Sequence, residues 1–212
     1  MGIFMKIEVM QVSPFEQNGR ILICEQTKEA ILIDPGEDPE CFVKRIKELQ
    51  LHVKYMLATH GHADHINAVG ELQKIFQIPF YMHEEDAWLI PALPQQSERF
   101  GMPVRGIPTV TKYLEDNEPL QFGQMMGKAI HTPGHSPGSM SFLFGNDVFV
   151  GDLLFAGSVG RTDFWGGSFE TLKQSIQKRI YTLPPATVIH PGHGPCTTVG
   201  EESLHNPFVH NR

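Results

Sequence analysis

Along this chain, apolar and polar positions alternate in short runs, interrupted by stretches with apolar residues three and four apart. Alternation is the period of a half-buried strand, and three-to-four spacing is that of an amphipathic helix. Lys6-Ile7-Glu8-Val9-Met10 alternates and predicts a first strand. Residues 13–19, with Pro14 and Asn18-Gly19, predict a turn. Two β-branched runs, 20–25 and 30–34, flank Gln26-Thr27-Lys28-Glu29 and predict a hairpin. Asp34-Pro35-Gly36 breaks the second of them. Asp38-Pro39 reads as an N-cap followed by proline at the first helical position. Phe42, Val43, Ile46 and Leu49 then predict a helix. Residues 53–58 predict a short buried strand, and apolar positions 66, 69, 72, 75 and 76 predict a helix over 66–77.

Further on, 79–83 predicts a strand and 84–90 a short helix. Residues 91–111 hold Pro91, Pro94, Pro103 and Pro108 with Gly101 and Gly106, and predict a long loop. It is either a surface excursion or a wall over a site. Runs at 120–122, 128–131, 139–144 and 147–151, separated by glycine turns, predict four strands. Ser168 is placed to cap a helix carrying Phe169, Leu172, Ile176 and Ile180, and 187–190 predicts a last strand. Strands and helices alternate in both halves. The expectation is an α/β protein with two packed sheets and helices on the outside, a single domain over residues 1–212.

Composition narrows the function more than the fold. The chain has 212 residues, 41% of them hydrophobic and 19% charged, with a net charge of −7. That is ordinary for a globular protein and long enough for a sizeable core. The acidic balance and the lack of a long basic run argue against nucleic acid or an anionic membrane surface as partner. No apolar run has the ~18 residues of a membrane span. The N-terminal stretch Met-Gly-Ile-Phe-Met-Lys-Ile-Glu lacks the basic and apolar segments of an export signal. Cys24, Cys41 and Cys196 form no CxxC pair and no even framework, and each reads as a small apolar residue in or near the core. A metal or redox role is the alternative for Cys196, three residues after His193. A cytoplasmic setting fits all of this.

The candidate chemistry is concentrated in Thr59-His60-Gly61-His62-Ala63-Asp64-His65. Imidazole and carboxylate are ordinary ligands of first-row divalent ions. The cluster lies where the 53–58 strand passes into a helix, and a loop held by a rigid scaffold is where such folds place chemistry. His60 and His62, two apart, would point the same way in extended backbone, with Asp64 and His65 aimed at a second point. Three later strand ends add single donors beside glycine: His135 in Gly134-His135-Ser136-Pro137-Gly138, Asp152 after Gly151, and His193 between Gly192 and Gly194. Together these are five histidines and two aspartates, enough for two ions with one shared carboxylate.

His60-Gly61-His62-Ala63-Asp64-His65, followed by His135, Asp152 and His193, resembles the HxHxDH…H…D…H pattern of the metallo-β-lactamase superfamily. The resemblance runs in order through nearly the whole chain. Gly160-Arg161-Thr162-Asp163-Phe164 and Asn206-Pro207-Phe208 narrow it to glyoxalase II-like hydrolases and the related persulfide dioxygenases. It implies an αββα sandwich, two mixed β-sheets flanked by helices, with the site on one edge. It also implies one metal held by His60, His62 and His135, a second by Asp64, His65 and His193, and Asp152 bridging them. The ions implied are two divalent cations, zinc before iron or manganese. The chain runs from His193 only to Arg212, so the short form is implied, without the C-terminal helical domain that helps hold glutathione in classical glyoxalase II.

The chemistry that follows is attack by a metal-activated hydroxide on an acyl-thioester carbonyl. The thiolate leaves readily because a thiol has a pKa of about 8.5. Asp64 would orient the nucleophile, and Arg161, in the glycine-rich loop 157–167, would bind a substrate carboxylate or brace the loop. His131 and His190 read as strand residues behind the ligand turns; Phe164 and Trp165 read as walls or as ordinary packing. The rival activity is a persulfide dioxygenase using a single Fe(II). A rival of another class is a non-catalytic metal-binding module, against which the full set of seven donors argues. A β-lactamase or lactonase is a further alternative that the Arg161 loop does not support.

Overall fold

The computed structural model describes residues 5–210. Its first half runs β1 (Met5–Val12), β2 (Gln17–Cys24), β3 (Glu29–Ile33), α1 (Pro39–Glu48), β4 (His52–Leu57), α2 (Ala63–Ile66), α3 (Val69–Phe76) and β5 (Phe80–Met82). A 3-10 turn at Glu84–Asp86, α4 (Leu89–Arg99) and β6 (Lys112–Tyr113) complete it. The second half contains β7 (Pro119–Phe122), β8 (Met125–His131), β9 (Met140–Phe144), β10 (Asp147–Gly151) and a small hairpin of β11 (Leu154–Phe155) and β12 (Ser158–Val159). It closes with α5 (Phe169–Ser175), widening into a π-turn at Ile176–Ile180, then β13 (Val188–Pro191), β14 (Thr197–Thr198) and α6 (Val199–His205).

One sheet has the order β1-β2-β3-β4-β5-β6 and the other β14-β13-β10-β9-β8-β7. Both are mixed: β2–β3 and β8–β9 pair antiparallel, β3–β4 and β10–β13 parallel. Side-chain parity shows how the layers stack. Ile21, Ile23, Ala30 and Leu32 face Phe42, Ile46 and Leu72 of α1 and α3. Their neighbours Leu22, Cys24, Ile31 and Ile33 face Phe122, Phe142, Phe144 and Phe149 of the other sheet. Val148, Val150 and Ile189 on the far side of that sheet pack on Leu172, Ile176 and Ile180. This is the αββα sandwich, and it explains why β2 is buried at all eight positions. A strand covered on both faces is stabilised by apolar residues at either parity, each worth about 1.5–3 kcal/mol when fully buried.

Several local expectations are corrected. Asn18-Gly19 lies inside β2, opposite Gln11 and Met10, and the turn is confined to residues 13–16, where Ser13 and Glu16 take positive φ. Asp38 precedes α1 in a left-handed conformation and makes no capping bond; its Oδ2 accepts from Ser13 N instead. The 66–77 helix is two, α2 beginning inside the histidine cluster. The 91–111 loop is helical over its first part, and the 84–90 helix is a 3-10 turn leading into α4. Pro91 falls in the first turn of α4, where no backbone N–H is needed, and only Pro94 forfeits an intrahelical bond. Leu89, Leu93 and Ser97, four apart and buried, offset that loss. Cys24 is buried as expected, but Cys41 and Cys196 are exposed, because neither strand-end nor helix-start position faces a layer interior. Among the described residues no helix is long and apolar enough to cross a membrane.

Candidate metal centre

Asp34, Thr59-His60, His135, Asp152 and His193 follow the C-terminal ends of β3, β4, β8, β10 and β13, respectively. The two sheets therefore deliver donors to one shared edge, the usual place for a site in open α/β sheets. All seven expected donors meet there. Donor atoms of His60, His62 and His135 lie within 4.8 Å of one another, as do those of Asp64, His65 and His193. Asp152 stands between the two groups. Its Oδ1 is 3.4 Å from His65 Nε2 and 3.7 Å from His193 Nε2, while Oδ2 is 3.8 Å from His135 Nε2.

The imidazoles are oriented from behind. His65 Nδ1 is 3.0 Å from Asp34 Oδ2, His135 Nδ1 is 2.8 Å from the Arg161 carbonyl, and His193 Nδ1 is 2.9 Å from the Phe15 carbonyl. Thr59 Oγ1 donates to Asp34 Oδ2 at 2.6 Å, so at 3.1 Å it accepts from His60 Nδ1. Each of these bonds places the proton on Nδ1 and turns Nε2 inward, the second-sphere arrangement of metal-ligating histidines. His62 is reversed: its Nδ1 faces in, 2.9 Å from His135 Nε2. Two inward-facing nitrogens that close are a natural chelating pair.

The fit to cations is tested by what these groups lack. His60 Nε2, His65 Nε2 and Asp152 Oδ1 are buried and have no hydrogen-bond partner. An unpaired buried polar atom costs about 1–3 kcal/mol, so three converging on one spot call for a ligand that satisfies them together. Charge agrees. Burial, reinforced by neighbouring imidazoles, holds His60 well below the ordinary histidine value and His62 down at about 3. Both are thus neutral, the ligating form. Burial works against charge on His65 too, but Asp64 and Asp152 outweigh it and push its pKa well up. Asp152 is held well below the usual carboxylate range, burial being overcome by His65 and the other imidazoles. A proton on His65 sits where a cation would.

Gly192 shows how tightly the two halves close. A Cβ there would lie 2.3 Å from Asp152 Oδ1 and 2.7 Å from His65 Cε1. Gly192→Ala is expected to displace Asp152, lower stability by about 1–3 kcal/mol and reduce metal content per chain. Thermal melting with elemental analysis of the purified variant checks this.

A cavity of about 230 Å³ opens over the cluster, lined by His62, Asp64, His135, Asp152 and His193 and walled by Phe15, Phe100 and Phe164. Arg161 is at its mouth. Its guanidinium bonds both oxygens of Asp163 at 2.6 Å and stacks 4.1 Å from the Phe164 ring centre. An adjoining cleft of about 250 Å³ shares His62, Phe100 and Phe164 and adds Trp88 and Trp165, whose rings meet edge to face at 4.6 Å. Phe15, Phe100, Asp34 and Asp86 carry no functional role in the sequence reading. Asp86 is buried and bonds Gly61 N, Ser136 Oγ and Gly138 N, tying the His60–His62 turn to the His135 turn. Asp34 closes an apolar strand as Asp152 does, and that shared pattern was a usable signal. Asp86 sits in an acidic run, Glu84-Glu85-Asp86, where nothing marks it from its neighbours.

Comparison with known proteins agrees with this geometry. Residues 21–193 match the family model of the metallo-beta-lactamase superfamily. The chain belongs to that superfamily. It is 38% identical to hydroxyacylglutathione hydrolase GloC of Haemophilus influenzae, over 98% of this chain and 100% of that protein. It is 39% identical to the probable metallo-hydrolase YqgX of Bacillus subtilis, over 97% and 98%. Among solved structures it is similar to BLEG-1 B3 metallo-beta-lactamase (TM-score 0.90, 37% identity, 97% of this chain and 100% of that one). It is also similar to TTHA1623 in a di-iron-bound form (0.87, 36%, 95% and 100%) and to ETHE1 from Myxococcus xanthus (0.81, 30%, 97% and 84%). The superfamily member is a metallo-hydrolase with a glyoxalase II-like relative.

Proposed function

We propose that this chain is a binuclear thioester hydrolase of glyoxalase II type, acting on a small acyl-thiol. The observation that carries the reading is the pair of three-donor groups, His60–His62–His135 and Asp64–His65–His193, with Asp152 between them beneath an open cavity. His60, His62 and His135 would hold one divalent cation, Asp64, His65 and His193 a second, with Asp152 shared. When bound, such cations acidify a water toward neutrality and polarise an acyl carbonyl. Histidine and carboxylate donors without thiolate accept zinc, and equally iron or manganese. The di-iron form of TTHA1623 supports a two-metal site in this family.

The chain's own groups do the rest. Asp64, on the cavity wall, orients the attacking water by accepting its hydrogen bond. Phe15, Phe100 and Phe164 keep bulk water away and give the acyl-thiol an apolar surface. Arg161, at the mouth, is placed to meet a substrate carboxylate, exchanging it for Asp163. No separate acid is required, because a departing thiolate is stable near neutral pH. The match to GloC along its whole length supports hydroxyacylglutathione as the first substrate to try.

One observation favours a second reading. His60, His65 and Asp152 also form a compact two-histidine, one-carboxylate group, the donor set of mononuclear Fe(II) oxygenases and so of a persulfide dioxygenase. Metal analysis of the purified protein, paired with two assays, separates them. Two metals per chain with hydrolysis of S-lactoylglutathione is the expected result. One iron per chain with O₂ uptake on glutathione persulfide would overturn it.

A further inference from the structure

Cys196 does not line the cavity, yet its surroundings are built. Its Sγ lies 3.3 Å from His190 Nδ1, and His190 Nε2 lies 2.8 Å from Asp147 Oδ1. The carboxylate accepts from Nε2–H, which leaves Nδ1 as the nitrogen that takes the thiol proton. This is the order of an activated nucleophile: thiol, base, and a third group that orients the base. The imidazole cannot swing away. It is buried and stacks on Phe149 with ring centres 4.6 Å apart and planes 18° apart.

A second group acts on the same sulfur. Arg20 is 2% exposed, with its guanidinium carbon 5.8 Å from the Phe149 ring centre. Its Nη atoms bond the carbonyls of Asn18 and Pro191, while its Nε is buried without a partner. Burial lowers its pKa to about 10, and its attraction to Cys196 is the leading effect keeping it charged. In turn the bond to His190 lowers the Cys196 pKa, against burial, with Arg20 adding to it. On His190 burial opposes charge, but Asp147 and Cys196 outweigh it and raise its pKa. The nearby charged groups are thus Arg20 and His190 in favour of a thiolate, and Asp147 against it but spent on His190.

We infer that Cys196 is a nucleophilic thiol built for exchange with low-molecular-weight disulfides, a modification site on the loop that also carries His193. The thiolate attacks one sulfur of a small disulfide, forming a Cys196–S–S–R bond. The original S–S bond breaks, and the second sulfur leaves with its electron pair, taking the proton held at His190 Nδ1. The other two cysteines serve as internal references. Cys24 is buried, and Cys41 is exposed and, among the described residues, has no side-chain bond to a base. A low-pKa, accessible thiol beside a cation is the kind that reacts selectively. The inference does not depend on the hydrolase reading.

The test is incubation of the metal-loaded protein with glutathione disulfide, with the adduct at each cysteine followed in time by peptide mass spectrometry. Cys196 is expected to gain glutathione about tenfold faster than Cys41 at neutral pH, with a rate–pH midpoint below the ordinary thiol value of about 8.5. His190→Gln should bring the Cys196 rate down to that of Cys41 and move its midpoint up, leaving Cys41 unchanged. Asp147→Asn, at a half-buried position that tolerates change, should slow Cys196 several-fold if the His190 variant does not fold. Equal rates at Cys196 and Cys41, or a Cys196 rate indifferent to both substitutions, would overturn the inference.

Discussion

Asp152→Asn is expected to leave no more than one metal ion per chain and to lower kcat/KM for thioester hydrolysis by about 10³-fold. The reason is positional. Asp152 is the one carboxylate that addresses both donor groups, Oδ1 toward His65 and His193, Oδ2 toward His135. An amide keeps the shape but presents one oxygen instead of two and removes a full negative charge from between the two groups of residues that would hold the cations. The second effect is on the water. A single cation acidifies it less than a pair, and each unit by which its pKa rises back toward 15.7 removes about tenfold of the nucleophile. Elemental analysis and steady-state kinetics on the same preparation check both. Two ions and unchanged hydrolysis in the variant would exclude Asp152 as the bridge.

The parts of this site that can be read in the sequence are those whose chemistry is written in residue type. Three histidines and an aspartate within 60–65 are too dense for a structural turn, and His135, Asp152 and His193 each close an apolar strand beside glycine. Strand ends can be read because alternation stops there, and in a sandwich the ends of both sheets share an edge. The groups that orient the imidazoles are harder to see. Two of them are backbone carbonyls, of Arg161 and Phe15, which no side chain announces. Asp86 acts through three bonds to residues 25 or more positions away, a relation created only by folding.

The misread elements have physical causes of the same kind. Weighed by residue type alone, the prolines of 91–111 predict a loop. Position decides the cost of each, and Pro91 at the first turn of α4 costs little. Asn18-Gly19 has turn chemistry but lies in β2, where Gly19 is needed for space: a Cβ there would meet Phe42 Cζ at 2.6 Å. By residue type Cys196 reads as a small apolar residue with a metal or redox role as the alternative, and the partners that set its character, His190, Asp147 and Arg20, come from three different strands.

Asp34 is where the largest effect from outside the donor set is expected. It is fully buried, and it accepts from Thr59 N and Thr59 Oγ1 at 2.6 Å and from His65 Nδ1 at 3.0 Å. It also holds a φ of 50°, a conformation that aspartate tolerates better than alanine. Asp34→Ala strands three buried donors, each costing about 1–3 kcal/mol, and adds backbone strain. A loss of roughly 3–5 kcal/mol is expected, since the costs are not additive. Asp34→Asn separates stability from metal binding. Its carbonyl oxygen must face Thr59 N, because the reverse orientation sets two N–H donors against each other. The amide nitrogen then takes the place of Oδ2 and faces Thr59 Oγ1, which accepts, and His65 Nδ1. To accept from that nitrogen, His65 must shed its Nδ1 proton and carry one at Nε2, the atom that faces Asp152. The variant should therefore melt within about 2 kcal/mol of wild type yet bind metal at the His65 half about 10–100-fold more weakly. Chemical denaturation gives the first number and competition with a chromogenic chelator the second. Wild-type metal affinity in Asp34→Asn would show that tautomer control is not what Asp34 supplies, and would leave it the bonds to Thr59 alone.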